Sequence, residues 1–213
     1  YTLNEGTKAD NYEITKVEGK LKVTAATNEV IVTITEHSGT VTYDGKEHTV
    51  TGYDVTSISN SLYKDTDFTF NGTAEVKGTD AGTYNMALKP ENFENKNNNF
   101  SKVTFVIEDG QLVIGKRPVT LTSASDEKTY DGQPLTKKEV TASTGENEGF
   151  VKGQGAAYDV TGSQTDVGES DNTFTYTLNE GTKADNYTIT KVEGKLKVTA
   201  ATNEVIVTIT EHS

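Results

Sequence analysis

The chain has 213 residues, no Cys, a single Arg (Arg117) and a formal net charge of -12 at pH 7. Without Cys it has no disulfide, thiolate metal ligand or cysteine nucleophile, and an acidic chain without clustered Lys and Arg is not expected to bind nucleic acid. No apolar run approaches the roughly 20 residues that span a bilayer, so membrane insertion is not expected in this segment. The frequent Thr and Val residues favour strands, and a hydrophobic content of 32% predicts small modules with thin cores.

The predicted strands alternate apolar and polar residues, which is typical of strands with one buried face. In chain order, their apolar positions are Val30, Val32 and Ile34; Tyr84, Met86 and Leu88; Val103, Phe105 and Ile107; Val119 and Leu121; and Phe174, Tyr176 and Leu178. The last predicted element is a hairpin of residues 187–192 and 195–199 around a turn at Glu193-Gly194. We therefore predict tandem antiparallel, immunoglobulin-like β-sandwich modules arranged end to end. The alternative is β-grasp-like modules, with a short helix in residues 56–66 or 136–149.

Two internal repeats define the organisation of the chain. Residues 1–38 recur as residues 176–213, with one change, Glu13 to Thr188. A weaker repeat of 84 to 87 residues relates two diverged modules within that unit, which indicates a repeat architecture. The predicted division is the end of a preceding module in 1–24, a first module in 25–114, a second module in 115–199 and the start of a further module in 200–213. The joints, at residues 25–29 and 115–116, are short, so neighbouring modules are expected to stack.

Residues 1–24 contain only about three predicted strands, which are too few to close a sandwich. We expect this segment either to pack poorly or to borrow strands from another chain.

Two short motifs occur once in each module. Tyr43-Asp44-Gly45 recurs as Tyr130-Asp131-Gly132, and Thr79-Asp80-Ala81-Gly82 recurs as Thr165-Asp166-Val167-Gly168. Asp and Gly favour tight turns, and Tyr anchors a turn in a core, so both motifs are predicted to be structural turns. The alternative is that they are loops that contact a ligand.

The order of these motifs resembles the YDG- and MBG-type repeats of large bacterial surface adhesins. The shared pattern is a Tyr-Asp-Gly turn, a Thr-Asp-Ala-Gly-Thr-Tyr strand entry, an Asn-Phe or Asn-Tyr pair and a closing Gly-x-Leu-x-Val strand. Here these segments are Tyr43-Asp44-Gly45, residues 79–84, Asn99-Phe100 and residues 110–114, and the second module carries a variant with an insertion before Phe174. The resemblance implies a secreted, cell-wall-anchored, multi-domain protein of Gram-positive bacteria, and it supplies no catalytic residues.

Chemistry other than binding has little support in the sequence. The imidazole bases are His37, His48 and His212, the last being the copy of His37, and no triad is indicated. Asp65 and Asp67, with Asp54 or Asp80, are candidate oxygen ligands for Ca²⁺, but solvated acidic loops are the preferred interpretation. Asn99 and Asn186 are the candidate partners for a Lys–Asn isopeptide crosslink. No cofactor, metal site or catalytic residue is assigned, and no enzyme activity is expected.

Two functions therefore remain open at the level of sequence. The first is a structural stalk that projects a binding domain from the cell wall, in which the partners of each module are its neighbouring repeats. The second is cell adhesion by the repeats themselves, which would bind host mucin or glycans with avidity and stack sugars on surface tyrosines such as Tyr53 or Tyr63.

Overall fold

A computed structural model describes residues 1–210, and this part of the chain is all-β. It contains four short 3-10 turns and no α-helix, so the helix expected for a β-grasp module is absent from residues 56–66 and 136–149. A single 3-10 turn, Asp65–Asp67, overlaps the end of residues 56–66. The expectation of sandwich-like β-modules is confirmed.

The first module consists of ten strands. They are β1 (Val30–Glu36), β2 (Gly39–Thr42), β3 (His48–Thr51), β4 (Tyr53–Ile58), β5 (Phe68–Phe70), β6 (Glu75–Gly78), β7 (Gly82–Asn85), β8 (Phe93–Asn95), β9 (Val103–Glu108) and β10 (Gln111–Gly115). The two three-stranded sheets have the orders β4-β1-β9 and β2-β10-β7, and β3-β6 and β5-β8 form additional pairs.

Alternating apolar residues on β1 and β10 supply the centre of the first core. Val30, Val32 and Ile34 are fully buried on β1, and Leu112 and Ile114 are almost fully buried on β10. β-Branched residues suit this pleated, one-sided environment. The predicted core positions of the first strand are therefore confirmed.

The second module repeats this plan with eight strands. They are β11 (Arg117–Ser123), β12 (Asp126–Thr129), β13 (Val140–Ala142), β14 (Ala156–Val160), β15 (Gly168–Asp171), β16 (Phe174–Leu178), β17 (Tyr187–Val192) and β18 (Lys195–Thr199). Its sheets have the orders β13-β11-β17 and β12-β18-β15, with β14-β16 as an additional pair. The two modules therefore place corresponding strands in corresponding positions.

The closing Gly-x-Leu motif has a steric cause in both modules. Gly110 and Gly194 each lie so close to a crossing backbone that an added Cβ would collide with the carbonyl of His37 or Ser123, respectively. The N–H of Gly110 donates to the buried Glu36 carboxylate at 2.8 Å, and the N–H of Gly194 donates to Ser123 Oγ at 3.0 Å. Glycine is required here for a close approach of two chain segments.

Two expectations about strand pairing require correction. The sheets are mixed, because β1 pairs in parallel with β9 and β2 pairs in parallel with β10, as do their counterparts in the second module. Alternation of apolar residues identifies a buried face but not the direction of the neighbouring strand. The predicted hairpin of 187–192 and 195–199 is wrong, since β17 pairs with β11 whereas β18 pairs with β12 and β15.

The insertion predicted before Phe174 in the second module is also wrong, because Phe174 does not correspond to Tyr84. Tyr84 on β7 pairs with Leu112 on β10, and the corresponding pair of the second module is Ser170 on β15 with Leu196 on β18. Met86 and Asn172, which follow these strands, each donate a backbone N–H to the glycine of the Gly-x-Leu motif. The motif residues therefore align without an insertion before Phe174.

Residues 1–24 and 200–210 lie outside both sandwiches. The first segment contains one 3-10 turn, Ala9–Asn11, and neither segment contains a strand. Side chains such as Leu21 and Ile209 are exposed to solvent. Residues 1–24 thus make few packing contacts within this chain.

Candidate functional site

The Tyr-Asp-Gly motif forms the same turn in both modules. The carboxylate of Asp44 accepts the backbone N–H of Lys46 at 2.9 Å, and that of Asp131 accepts the N–H of Gln133 at 2.9 Å. The glycines, Gly45 and Gly132, have φ values of +79° and +77°, which L-residues with a side chain rarely adopt. The hydrogen bond from the Lys46 N–H also lowers the pKa of Asp44. The prediction of structural turns is confirmed.

Tyr43 of the first turn joins the two modules. Its ring is buried and lies edge-on to Tyr187, with ring centroids 5.5 Å apart and planes at 84°. Its hydroxyl accepts a hydrogen bond from Gln154 Nε2 at 2.9 Å, and Gln154 Oε1 accepts one from the Tyr187 hydroxyl at 2.5 Å. Tyr187 also accepts the backbone N–H of Val151 at 3.1 Å. The turn of one module is thus inserted against the end of the next.

The second motif supplies a polar contact beside this aromatic one. Asp80 accepts hydrogen bonds from Lys183 Nζ at 2.6 Å and from Asn186 Nδ2 at 2.9 Å. The N–H of Ala81 donates to Asn186 Oδ1 at 2.7 Å, so both ends of the Asn186 amide are satisfied across the joint. Asn186 is only 1% exposed. The bond from Lys183 lowers the pKa of Asp80, and the same bond raises the pKa of Lys183.

The buried amide is more important for this contact than the ion pair. The side chains of Lys183 and Asp80 are 65% and 43% exposed, and exposed ion pairs contribute little to stability. In contrast, loss of a buried hydrogen-bonding group leaves its partners unsatisfied, which costs about 1–3 kcal/mol. Asn186 is therefore the polar centre of the joint.

Arg117 organises the receiving surface of the second module. It is buried at the start of β11, where its guanidinium donates to the carbonyls of Gly145, Gly149 and two residues between them, Glu146 and Glu148. These bonds fix the loop that leads to Val151 and Gln154. Sequence reasoning missed this role, although an isolated Arg directly after a joint was a usable signal.

A family comparison identifies the first module. Residues 30–116 match the family model described as MBG domain. This module is an MBG domain. No curated protein and no solved structure matches the chain significantly. The MBG domain is found in surface-associated repeat proteins. In the part of the chain that the structure describes, no helix is long and apolar enough to cross a membrane.

The candidate histidines of the MBG domain take part in local contacts. His37 Nδ1 lies 2.8 Å from the carbonyl oxygen of Thr51, and its Nε2 lies 3.3 Å from the Asp54 carboxylate. His48 Nε2 lies 2.8 Å from Asp44 Oδ1 in the Tyr-Asp-Gly turn. His212 lies outside the described residues.

The candidate cation ligands of the MBG domain are not brought together. Asp67 accepts the backbone N–H of Lys64 at 2.8 Å in a local cap, and Asp80 pairs with Lys183. Within residues 1–210, no group of three or more His, Asp or Glu side chains is placed to hold a metal ion. The Asn186 amide bonds to Asp80 and Ala81 rather than to a lysine.

Of the two tyrosines suggested as sugar platforms, Tyr63 is buried in the MBG domain, so the expectation is wrong for Tyr63, whereas Tyr53 is half-buried. Tyr63 is 1% exposed, and its hydroxyl donates to Asn95 Oδ1 at 3.0 Å. Burial raises its pKa to about 12. Tyr53 packs edge-on to Phe70 and Phe93, with centroids 5.1 and 5.2 Å away. Sequence alone does not distinguish these positions from surface tyrosines, because both segments are polar around the ring.

Proposed function

We propose that the chain is part of a structural stalk of a bacterial surface adhesin, which projects a binding domain away from the cell wall. The protein is then extracellular and anchored to a Gram-positive wall, its partners are the neighbouring repeats, and it has no enzyme activity. The contact between the modules is the single observation that carries this proposal. A stalk requires joints that hold their shape.

The joint has the features of such an element. Lys116 alone separates β10 from β11, so the chain has little freedom between the modules. Aromatic and polar contacts from two separate loops then fix the orientation, because both loops converge on the adjacent residues Asn186 and Tyr187. A linker of this kind favours a fixed orientation over independent motion.

The same contact argues against ligand binding by the motif loops. Tyr43 and Asp80, the side chains most suited to contact a sugar, are occupied by Tyr187, Lys183 and Asn186. Tyr63 is buried, and the half-buried Tyr53 packs edge-on to Phe70. The net charge of -12 suits a role in keeping a long array soluble.

Small-angle scattering tests the proposal on the full chain and on a lengthened chain. In the lengthened chain, residues 115–175 are placed directly before Tyr1, so that residues 1–24 complete a further second-type module. A stalk predicts that the maximum dimension grows by one module length while the cross-section stays constant. A compact particle, with a radius that grows in all directions, would contradict it.

Binding to immobilised mucin and glycans separates the stalk from the adhesive alternative. The stalk predicts no saturable binding by either chain. Saturable binding that becomes tighter in the lengthened chain would instead assign adhesion to the repeats themselves.

A further inference from the structure

We propose that the exposed motif loops of the second module dock onto the MBG domain of a following repeat, through the contacts that join the two modules here. This inference rests on the proposed stalk function, because it names the partner of the second module as another copy of the repeat. The motif loops of the two modules differ in exposure. Tyr43 is 3% exposed, whereas its counterpart Tyr130 is 42% exposed, and Val167, the counterpart of Ala81, is 57% exposed.

The MBG domain carries a receiving surface like that of the second module. Residues 183–187 read Lys-Ala-Asp-Asn-Tyr and supply Lys183, Asn186 and Tyr187 to the joint; residues 96–100 read Lys-Asn-Asn-Asn-Phe. The two segments have the same place in the packing. Phe150 lies edge-on to Tyr187 at 5.2 Å, and Tyr63 lies edge-on to Phe100 at 5.3 Å.

The spacing at the chain connection is also the same. The N–H of Tyr43 donates to the carbonyl of Gly115, and the N–H of Tyr130 donates to that of Thr199, both at 2.8 Å. Two residues after Gly115, Arg117 pairs with Tyr187 in a parallel ladder.

Because residues 1–24 copy residues 176–199, the same two-residue spacing precedes the MBG domain. Thr24 is the copy of Thr199, and two residues later Ala26 forms a parallel bridge with Phe100. A complete second-type module that ends in residues such as 1–24 therefore brings its Tyr130 next to Phe100. The position follows from the chain path and needs no adjustment of the linker.

The surface at this position is open and partly apolar. A groove of about 400 Å³ is lined by Val23, Thr24, Ala26, Asn60, Leu62, Asn97, Asn99 and Phe100. Leu62 is 76% exposed and stands directly before Tyr63, where the second module has Gly149 before Phe150. The ring of Tyr130 from the preceding module would cover Leu62, which removes two exposed apolar surfaces at once.

The polar partners are present as well. Asp166 corresponds to Asp80, so it would accept hydrogen bonds from Lys96 and Asn99, while the N–H of Val167 would donate to Asn99 Oδ1. Asn99 is exposed in this chain, whereas the equivalent Asn186 is buried by its partner. Lys96 now pairs with the exposed Glu94 at 2.6 Å, a surface contact that is readily exchanged.

Disulfide trapping tests the docking directly, because the chain has no native Cys. In the lengthened chain, Val167→Cys in the upstream second module is combined with Asn99→Cys and oxidised with glutathione disulfide. We expect an intramolecular crosslink, seen as a shift on a non-reducing gel. Ala81→Cys with Asn186→Cys is the positive control, since this pair reports the joint already present. Val167→Cys in the downstream module with Asn99→Cys is the negative control.

A crosslink confined to the upstream copy supports the docking, and equal yields from the upstream and downstream copies would overturn it. If the cysteine variants do not fold, Asn99→Ala serves instead: docking requires that it lowers the melting temperature of the lengthened chain but not of the 213-residue chain. An equal change in both chains refutes the inference. If no crosslink forms but the maximum dimension in scattering grows, the docking is refuted and the stalk function stands. If the crosslink forms but the chain binds glycans saturably, the stalk function is refuted and the docking stands.

Discussion

Residues 1–24 and 176–199 have the same sequence except at Glu13 and Thr188, yet they have different structures. Leu196 and Val198 are 0% and 1% exposed on β18, whereas their copies Leu21 and Val23 are 103% and 92% exposed and lie outside any strand. The copies contain the same apolar alternation. This sequence therefore forms strands only where neighbouring strands are available to pair with it.

The partners of the second copy explain the difference. β18 lies between β12 and β15, and its two buried side chains reach the core between the sheets. In the described part of the chain, residues 1–24 pair with no strand. A two- or three-stranded element without a packed face is marginal in water, so local propensity alone does not order this segment. Residues 200–210 show the same difference, because Val205 is 83% exposed outside any strand and its copy Val30 is fully buried on β1.

Truncation of the core leucine should separate the two copies most strongly in their effect on stability. Leu196→Ala removes a fully buried side chain and should lower the free energy of unfolding of the second module by about 2–5 kcal/mol. Leu21→Ala, the matched control, should leave it unchanged. Urea unfolding of the full chain, followed by circular dichroism, measures both. Equal losses from the two variants would show that residues 1–24 are packed as tightly as β18.

The buried amide at the joint has the next largest effect. Asn186→Ala leaves the N–H of Ala81 without its acceptor and Asp80 without one of its two donors, and should cost about 1–3 kcal/mol. Asn11→Ala changes the same residue in the exposed copy and should be neutral. Thermal unfolding of each variant provides the measurement, and a destabilising Asn11→Ala would argue that the first copy makes a contact of its own.

Sequence reasoning succeeded where the information is local and failed where it is not. The repeat, the strand positions of Val30, Val32 and Ile34 and the Tyr-Asp-Gly turns are properties of short segments, and the structure contains them. The pairing of β17 with β11 and of Asp80 with Lys183 joins residues far apart in the chain. Alternation and turn chemistry do not encode such partners. Asp80 was therefore recognised as a turn residue, but its role at the joint was not.

The ion pair at the joint makes its contact sensitive to acid. The pKa of Asp80 is lowered in the folded state, chiefly by Lys183. The Asp80 carboxylate therefore contributes to stability above its unfolded pKa of about 3.9, and this contribution is lost as the pH falls through its folded pKa. Lys183→Ala should return the Asp80 pKa toward its ordinary value, and Lys8→Ala in the other copy should not. Carboxyl NMR titration measures both, and a shift caused by Lys8→Ala would refute the assignment.

The smallest effect is expected at the one position where the copies differ. Thr188 is exposed on β17, so Thr188→Glu, which makes the second copy identical to the first, should change stability by no more than about 0.5 kcal/mol. Chemical unfolding of this variant checks the expectation. Loss of the second module would mean that Glu13, and not the lack of partners, keeps residues 1–24 out of a sheet.

Amide hydrogen exchange in residues 1–24, measured by NMR before and after residues 115–175 are placed ahead of Tyr1, determines whether this segment folds once partner strands are present. Segmental isotope labelling of residues 1–24 distinguishes them from the identical downstream copy. With the missing strands supplied, the amides of residues 20–24 should become as protected as those of β18, at least about tenfold slower than in the 213-residue chain. Exchange that stays equally fast in the lengthened chain would contradict the account.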